Sequence, residues 1–488
     1  AIVLLTALLL LTPTCPAGQE DAPRAKYVFL MIGDGMGLAH RTAAELYLNA
    51  TEPVDPAGAR VDDPVGPARR LVMNSLPAQG LTATHSEDAL ITDSAAAGTA
   101  LACGAKSANG VVAMDAAGKR PLKTLAEISK DRGMRVGIVS NVSIDHATPA
   151  VFYAHQPTRN DYYEIGLQLA CSDFDYFAGG QVKGNLPAQR KDRKCLVKIA
   201  RENGFAVAAG REEMAALKPG RKAWIFDEAV DGSAALQYEM DRPESQPSLA
   251  ELTRKGIELL DGDEGFFIMV EAGKIDWASH ANDPAATIRD TLAFDDAVAE
   301  AVAFWREHPK RTLVVVTADH ECGGMTVGSR VGGSRFRPAV LARQRMSQDV
   351  FAARVARLRR NGGSRKQAVA LAVELFGLDD LSRRERRMLE AAAARSMTDP
   401  DERAGDGQST LAYGRYDPLA LTACRIISDR AGIGWRTFSH TGAPVPPAHA
   451  LSRHGHAAQA IVPIGIRTGQ EDGEIRVGTF KRQVHPPL

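Results

Sequence analysis

Ser94 stands where the apolar pair Leu90-Ile91 gives way to Thr92-Asp93-Ser94-Ala95-Ala96-Ala97-Gly98-Thr99-Ala100, and Ala95 to Ala102 is a run of helix formers. A serine at a helix N-terminus turns its hydroxyl toward unpaired backbone N–H groups and the positive end of the helix dipole, which favours an alkoxide or a bound phosphate. The same residues would also serve as an ordinary Asp or Ser cap, so the chemistry depends on what else converges there. The chain offers Asp34, Thr148, Glu271, Asp276, His280, Asp319, His320 and His440. Mixed Asp/His sets suit zinc, whereas an all-oxygen set such as Asp34, Thr148 and Glu271 suits magnesium. Two zinc ions roughly 4 Å apart would clamp the attacking and leaving oxygens of an in-line displacement. One of them would lower the pKa of the Ser94 hydroxyl and make it a nucleophile. Arg159 adds a planar fork of donors able to hold two non-bridging phosphoryl oxygens.

These residues need a scaffold that gathers them, and the apolar runs supply it. Tyr27 to Ile32, Met134 to Ser140, Gly265 to Val270 and Thr312 to Thr317 read as buried strands of a parallel sheet. Each ends in chemistry: Gly33-Asp34-Gly35-Met36-Gly37, Asp145-His146-Ala147-Thr148-Pro149, Glu271, and Asp319-His320. The edge beyond the carboxyl ends of the strands is where an open α/β sheet builds its sites. Asp276 and His280, at i,i+4, share one face of a helical turn, and Asn282-Asp283-Pro284 opens a long helix to about Glu307. The expected fold class is α/β, a doubly wound three-layer sandwich around a large, mostly parallel sheet.

At 488 residues, with 44% hydrophobic and 24% charged residues and a formal net charge of zero, the chain has the composition of a globular enzyme. Nothing global attracts nucleic acid or an acidic membrane. The six cysteines include no C-x-x-C pair, which excludes a zinc ribbon. Cys103 reads as a buried small residue, Cys322 is unassigned, and a Cys171–Cys195 bridge is an open alternative. Residues 1–22 read as a leader, because Ala1 to Leu11 is too short to span a bilayer and resembles the apolar part of a secretory signal. The expected location is periplasmic or secreted, with lipidation of Cys15 the less favoured alternative. Residues 332–432 change character to Arg, Ala and Leu at helical spacing and read as a helical insertion into a catalytic domain formed by 23–331 and 433–488. Its arginine runs, 357–360 and 383–387, read as solvated faces, with polyanion binding the minor alternative.

Taken together, Asp93-Ser94-Ala95, Gly33-Asp34-Gly35-Met36-Gly37, His146-Ala147-Thr148-Pro149-Ala150 with Arg159, Glu271 through His280, Thr317-Ala318-Asp319-His320 and His440-Thr441-Gly442 resemble the alkaline phosphatases. The resemblance spans Lys26 to Val327 and resumes at His440. It implies a phosphomonoesterase with Ser94 as nucleophile, a phosphoserine intermediate, Arg159 on the phosphoryl group and Asp93 orienting that arginine. It implies one zinc on Asp276, His280 and His440 at the leaving-group oxygen. A second zinc would sit on Asp34, Asp319 and His320 beside Ser94, and magnesium on Asp34, Thr148 and Glu271. It also implies small phosphate monoester substrates and a homodimer.

Three departures qualify this pattern. His146 and Trp277 stand where the best-known bacterial members carry Asp and Lys, so the third ion is magnesium or, with imidazole nearby, zinc or cobalt. The stretch between His320 and His440 is longer than in compact members. The chain after Pro447 lacks the expected glycine-rich ending, so His449, His454 and His456 read as tail residues rather than ligands. The alternatives are a phosphodiesterase or sulfatase of the same superfamily and a non-catalytic metal- or phosphate-binding protein. Ala96 and Gly98 after Ser94 do not supply a sulfatase motif, and no ligand is missing as a binding-only protein would predict.

Overall fold

The structure is a computed structural model and describes residues 25–51, 69–329, 331, 335–398, 412–451, 464–468 and 475–479. The expected leader and Cys15, His454 and His456 lie outside the described residues. Eight strands are numbered here: β1 Tyr27–Gly33, β2 Ala78–Gln79, β3 Arg135–Ser143, β4 Tyr176–Gly180, β5 Ala206–Ala209, β6 Ala223–Phe226, β7 Phe266–Ala272 and β8 Thr312–Thr317. With Ala448–Leu451 they form one nine-stranded sheet, in which β8, β1, β7, β3, β4, β6 and β5 are parallel neighbours in that order. Ala448–Leu451 runs antiparallel between β8 and β2 at one edge.

Alternation along the central strands divides the core in two. Phe29 and Met31 of β1 and Phe266, Ile268 and Val270 of β7 enter one apolar cluster. Val28, Leu30 and Ile32, with Phe267 and Met269, enter the other. Successive side chains of a strand face opposite ways, so continuous apolar runs are required to bury both faces. Helices Leu38–Thr51, Leu249–Leu260 and Pro284–Glu307 cover the first face, and Ser94–Cys103, Leu125–Asp131 and Tyr162–Cys171 the second. This is the α/β sandwich expected from the sequence.

Residues 348–431 contain helices Gln348–Arg360, Arg365–Phe376, Arg383–Ser396 and Pro418–Ala431, opened by Ser347, Ser364, Ser382 and Asp417 as side-chain caps. Phe351, Val355, Phe376 and Leu389 belong to the same apolar cluster as Phe29 and Met31, so these helices thicken one layer of the sandwich. Arg383, Arg384, Arg386 and Arg387 are exposed, while Arg430 pairs with Glu385 and Asp380. Beyond them the chain returns through His440–Thr441, which pairs antiparallel with Glu321–Cys322.

Two expectations change. His449 is not a tail residue: it lies in the sheet, opposite Val315 of β8 and Ala78 of β2, because residues 448–451 present Ala448 and Ala450 to the core. Cys171 and Cys195 do not form the bridge left open above: both are free thiols, Cys171 exposed and Cys195 half-buried, while Cys322 and Cys424 are buried thiols.

Gly179 of β4 has φ +154°, and a Cβ there would overlap the carbonyl oxygen of Ser140 in β3. Gly133, at φ +81°, has nothing among the described residues within 4 Å of an added Cβ. Gly179→Ala should therefore cost about 2–4 kcal/mol and Gly133→Ala about 1 kcal/mol. Urea unfolding of both variants checks this, and equal costs would remove the clash as the cause.

Candidate active site

The four strands β8, β1, β7 and β3 are neighbours, so their carboxyl ends lie in a row. Ile32 of β1 registers with Thr317 of β8 and with Glu271 of β7, and Glu271 registers with Ser140 of β3. Asp34, Glu271, Asp319 and His320 are thereby gathered from positions far apart in the chain, all essentially inaccessible to solvent.

Ser94 opens its helix, with Asp93 as N-cap. The Asp93 carboxylate divides its work: Oδ1 accepts from Ala96 N at 2.9 Å, and Oδ2 accepts from Arg159 Nη1 at 2.9 Å. One side chain thus fixes both the helix start and the arginine. Gly98 lets the helix sit close to Val151, since a Cβ there would lie 2.9 Å from Val151 Cγ2. Ser94 Oγ is 3.2 Å from His320 Nε2. Arg159 Nη2 reaches His146 Nε2 at 3.3 Å. Burial, then the neighbouring Arg159, pushes the His146 pKa down to about 3, so its imidazole is neutral and Nε2 accepts. Trp277 packs edge-on to His146, with ring centroids 5.5 Å apart.

Three groups of donors converge. Asp276, His280 and His440 cluster with Cys322; Asp34 clusters with Asp319 and His320; and Asp34 clusters again with His146 and Glu271. His280 Nε2 and His440 Nε2 are 3.2 Å apart. Asp276 Oδ2 lies 3.3 Å from His280 Nε2 and Oδ1 3.4 Å from His440 Nε2. The other nitrogen of each ring faces a backbone carbonyl, Phe438 O at 2.6 Å and Thr92 O at 2.9 Å. Those contacts assign the Nδ1 protons and leave the Nε2 atoms pointing at each other and at Asp276. Only a cation fits such a set. A proton is held there tightly: burial alone would lower the His440 pKa, but Asp276 outweighs it and raises it to about 9.

The neighbouring carboxylates lack even that relief. Asp34 is pushed well above the usual carboxylate range by burial and by Asp319, Asp276 and Glu271. Burial drives Glu271 up to about 8, against the Ser140 hydroxyl hydrogen bond, and burial with Asp276 drives Asp319 up to about 7. Asp34 Oδ1 and Oδ2, Thr148 Oγ1, Glu271 Oε1 and Asp319 Oδ2 are buried without a hydrogen-bond partner among the described residues. Buried oxygens left without a partner call for one, and cations held among them would supply it. The donor chemistry fits zinc at the two Asp/His groups and a harder ion at the Asp34, Thr148 and Glu271 oxygens.

The fold brings together Ser94, Asp93 and Arg159 with the Asp34, Glu271, Asp276, His280, Asp319, His320 and His440 donors, with Trp277 against His146 and Thr148 beside Glu271. Ser140, which donates to Glu271 Oε2, was not singled out; a serine inside an apolar strand next to a ligand-bearing strand is the signal that marks it. Cys322 joins the Asp276 group through the short ladder that pairs it with His440. That proximity could not be read from its place two residues after His320. Glu321 accepts from Thr441, buttressing the same ladder.

A family profile described as alkaline phosphatase matches residues 25–177 and 176–457. Alkaline phosphatase 4 of Bacillus subtilis is 30% identical over 445 residues, covering 89% of this chain and 86% of that protein. The crystal structure of Thermus thermophilus alkaline phosphatase superposes with a TM-score of 0.72 at 26% identity, covering 88% of this chain and 87% of that one. A cold-active alkaline phosphatase from a psychrophilic Shewanella sp. superposes with a TM-score of 0.70 at 28% identity, covering 87% and 94%. The chain belongs to the alkaline phosphatase family and is a phosphatase.

Proposed function

We propose that the protein hydrolyses phosphate monoesters through a phosphoserine formed on Ser94. The observation that carries this reading is the placement of Ser94 Oγ 3.2 Å from His320 Nε2, one residue from the carboxylate that holds Arg159 at 2.9 Å. A nucleophile, a pocket lined by buried carboxylates and imidazoles, and a forked cation then meet at one place. Ser94 Oγ attacks phosphorus, and the two arms of Arg159 take non-bridging oxygens as charge gathers on them. Two free oxygens are needed for that grip, which favours a terminal phosphoryl group over a diester. The leaving oxygen departs on the side opposite Ser94, and water then attacks the phosphoserine from there and frees the hydroxyl.

Asp34, Asp319 and His320 would hold one zinc, Asp276, His280 and His440 a second, and Asp34, Thr148 and Glu271 a magnesium, or zinc or cobalt, near His146. These ions would supply the positive charge that lowers the pKa of the Ser94 hydroxyl and of the attacking water. The chain's own part is to exclude water around the four carboxylates, to fix the imidazole tautomers through Thr92 and Phe438, and to hold Arg159. We extend the proposal to an exported homodimer whose residues 332–432 elaborate a single catalytic domain. Among the described residues no helix is long and apolar enough to cross a membrane.

Ser94→Ala should lower kcat roughly ten-thousandfold or more and abolish acid-stable phosphoprotein while bound zinc, counted by atomic emission, is unchanged. Phosphoprotein at normal levels in that variant would sink the assignment. Arg159→Ala should cost about 10²–10³-fold in kcat/KM for nitrophenyl phosphate but under about tenfold for the bis-ester; equal losses would remove Arg159 from the phosphoryl group. His146→Asp should tighten magnesium, measured by calorimetry on the zinc-loaded protein, and an unchanged isotherm would place His146 away from the third ion.

A further inference from the structure

Beside the phosphoryl site lies a buried cation that the reading above does not use. Lys274 begins the short Lys274–His280 helix and is fully buried. Its Nζ donates to Asp231 Oδ2 at 2.6 Å, and its backbone N–H to Asn141 Oδ1 at 3.1 Å. The ammonium sits 4.4 Å from the centroid of the Tyr238 ring and 4.5 Å from that of Trp277. Burying an ammonium is costly unless it is paired and enclosed, and here Asp231 and two aromatic faces enclose it within the field of Asp241, Asp290 and Asp349. The arrangement fixes the charge in place, and it equally fixes the rings.

What Trp277 touches next gives this its consequence. The indole meets His146 edge-on at 73° between the ring planes. His146 Nε2 accepts from Arg159 Nη2 at 3.3 Å, while Arg159 Nη1 is held by Asp93. Arg159 therefore has two anchors of unequal quality. Asp93 is charged and itself tied to the helix start. His146 is a ring whose Nδ1 has no hydrogen-bond partner among the described residues, so within the protein its orientation is set by what packs against it. The indole supplies that packing, and Lys274 sets the indole.

We propose that Lys274 is a positioning residue of the phosphoryl site: anchored by Asp231, its ammonium pins the Trp277 indole, which holds His146 where it fixes the second arm of Arg159. The proposal rests on Arg159 as the phosphoryl-binding side chain. Lys274 itself reaches none of the reacting groups, so its effect must pass through that arginine.

A double-mutant cycle on the metal-loaded enzyme tests this, with inorganic phosphate as the competitive inhibitor. Lys274→Met should raise the inhibition constant about five- to thirtyfold, the size of couplings between contacting residues. Lys274→Arg should recover most of the loss. In an Arg159→Ala background, Lys274→Met should produce no further change. An equal loss in both backgrounds would overturn the positioning role while leaving Arg159 in its place. An unchanged constant for Lys274→Met alone would overturn it too. If Arg159→Ala by itself leaves phosphate inhibition intact, the Arg159 reading fails and carries this proposal with it. Should Lys274→Met not accumulate as folded protein, Asp231→Asn removes the anchor and enters the same cycle with the same expectations.

Discussion

Like charges buried together are the constraint on which the rest of this molecule depends. Asp34, Glu271, Asp276 and Asp319 all lie within a few per cent of complete burial. No arrangement of four ionised carboxylates in a low-dielectric pocket persists without cations. The chain offers only partial relief. Asp276 is held well below the usual carboxylate range because burial is outweighed by His280 and His440, whereas Asp34, Glu271 and Asp319 are all raised. The site is thus built at a loss of stability that bound cations would offset, and the same uncompensated field is what divalent ions would exploit in catalysis.

A site of this kind needs a scaffold that does not relax to relieve the repulsion. The parallel sheet meets that requirement because four adjacent strands deliver the ligands from one edge, each strand locked by two neighbours and by apolar clusters on both faces. Backbone hydrogen bonds finish the work: Asp319 Oδ1 accepts from Gly35 N at 3.1 Å and from His320 N at 2.9 Å. Gly35, at φ +70°, can approach Asp276 and Cys322 only because it lacks a Cβ.

The segment of four helices is joined to this centre by more than apolar packing. Tyr238, whose ring faces Lys274, donates its hydroxyl to Asp349 Oδ2 at 3.2 Å in the first turn of Gln348–Arg360. Asp283, the cap of the long Pro284–Glu307 helix, accepts from Gln348 N at 2.7 Å. The chain leaving these helices supplies Phe438, whose carbonyl orients His280, and then His440 itself. The helices therefore carry the return of the last imidazole, and their docking sets where it arrives.

The sequence by itself determined the four central strands and the order of the chemistry-bearing residues that follow them, but not the five other strands of the sheet. Runs such as Tyr27-Val28-Phe29-Leu30-Met31-Ile32 can only be buried on both faces, and a carboxylate or imidazole placed just after each run must lie at one sheet edge. Local spacing was enough for Asp276 with His280, whereas the cap of the Ser94 helix, open between Asp93 and Ser94 in the sequence, is settled as Asp93 by the fold. What only the tertiary structure decided is every relation that crosses the chain. The facing Nε2 atoms of His280 and His440, Cys322 beside them, Ser140 on Glu271, His449 in the sheet and Lys274 beneath Trp277 each depend on strand order, register or helix docking. Those follow from the whole core finding one packing, and no window of residues along the chain contains that information.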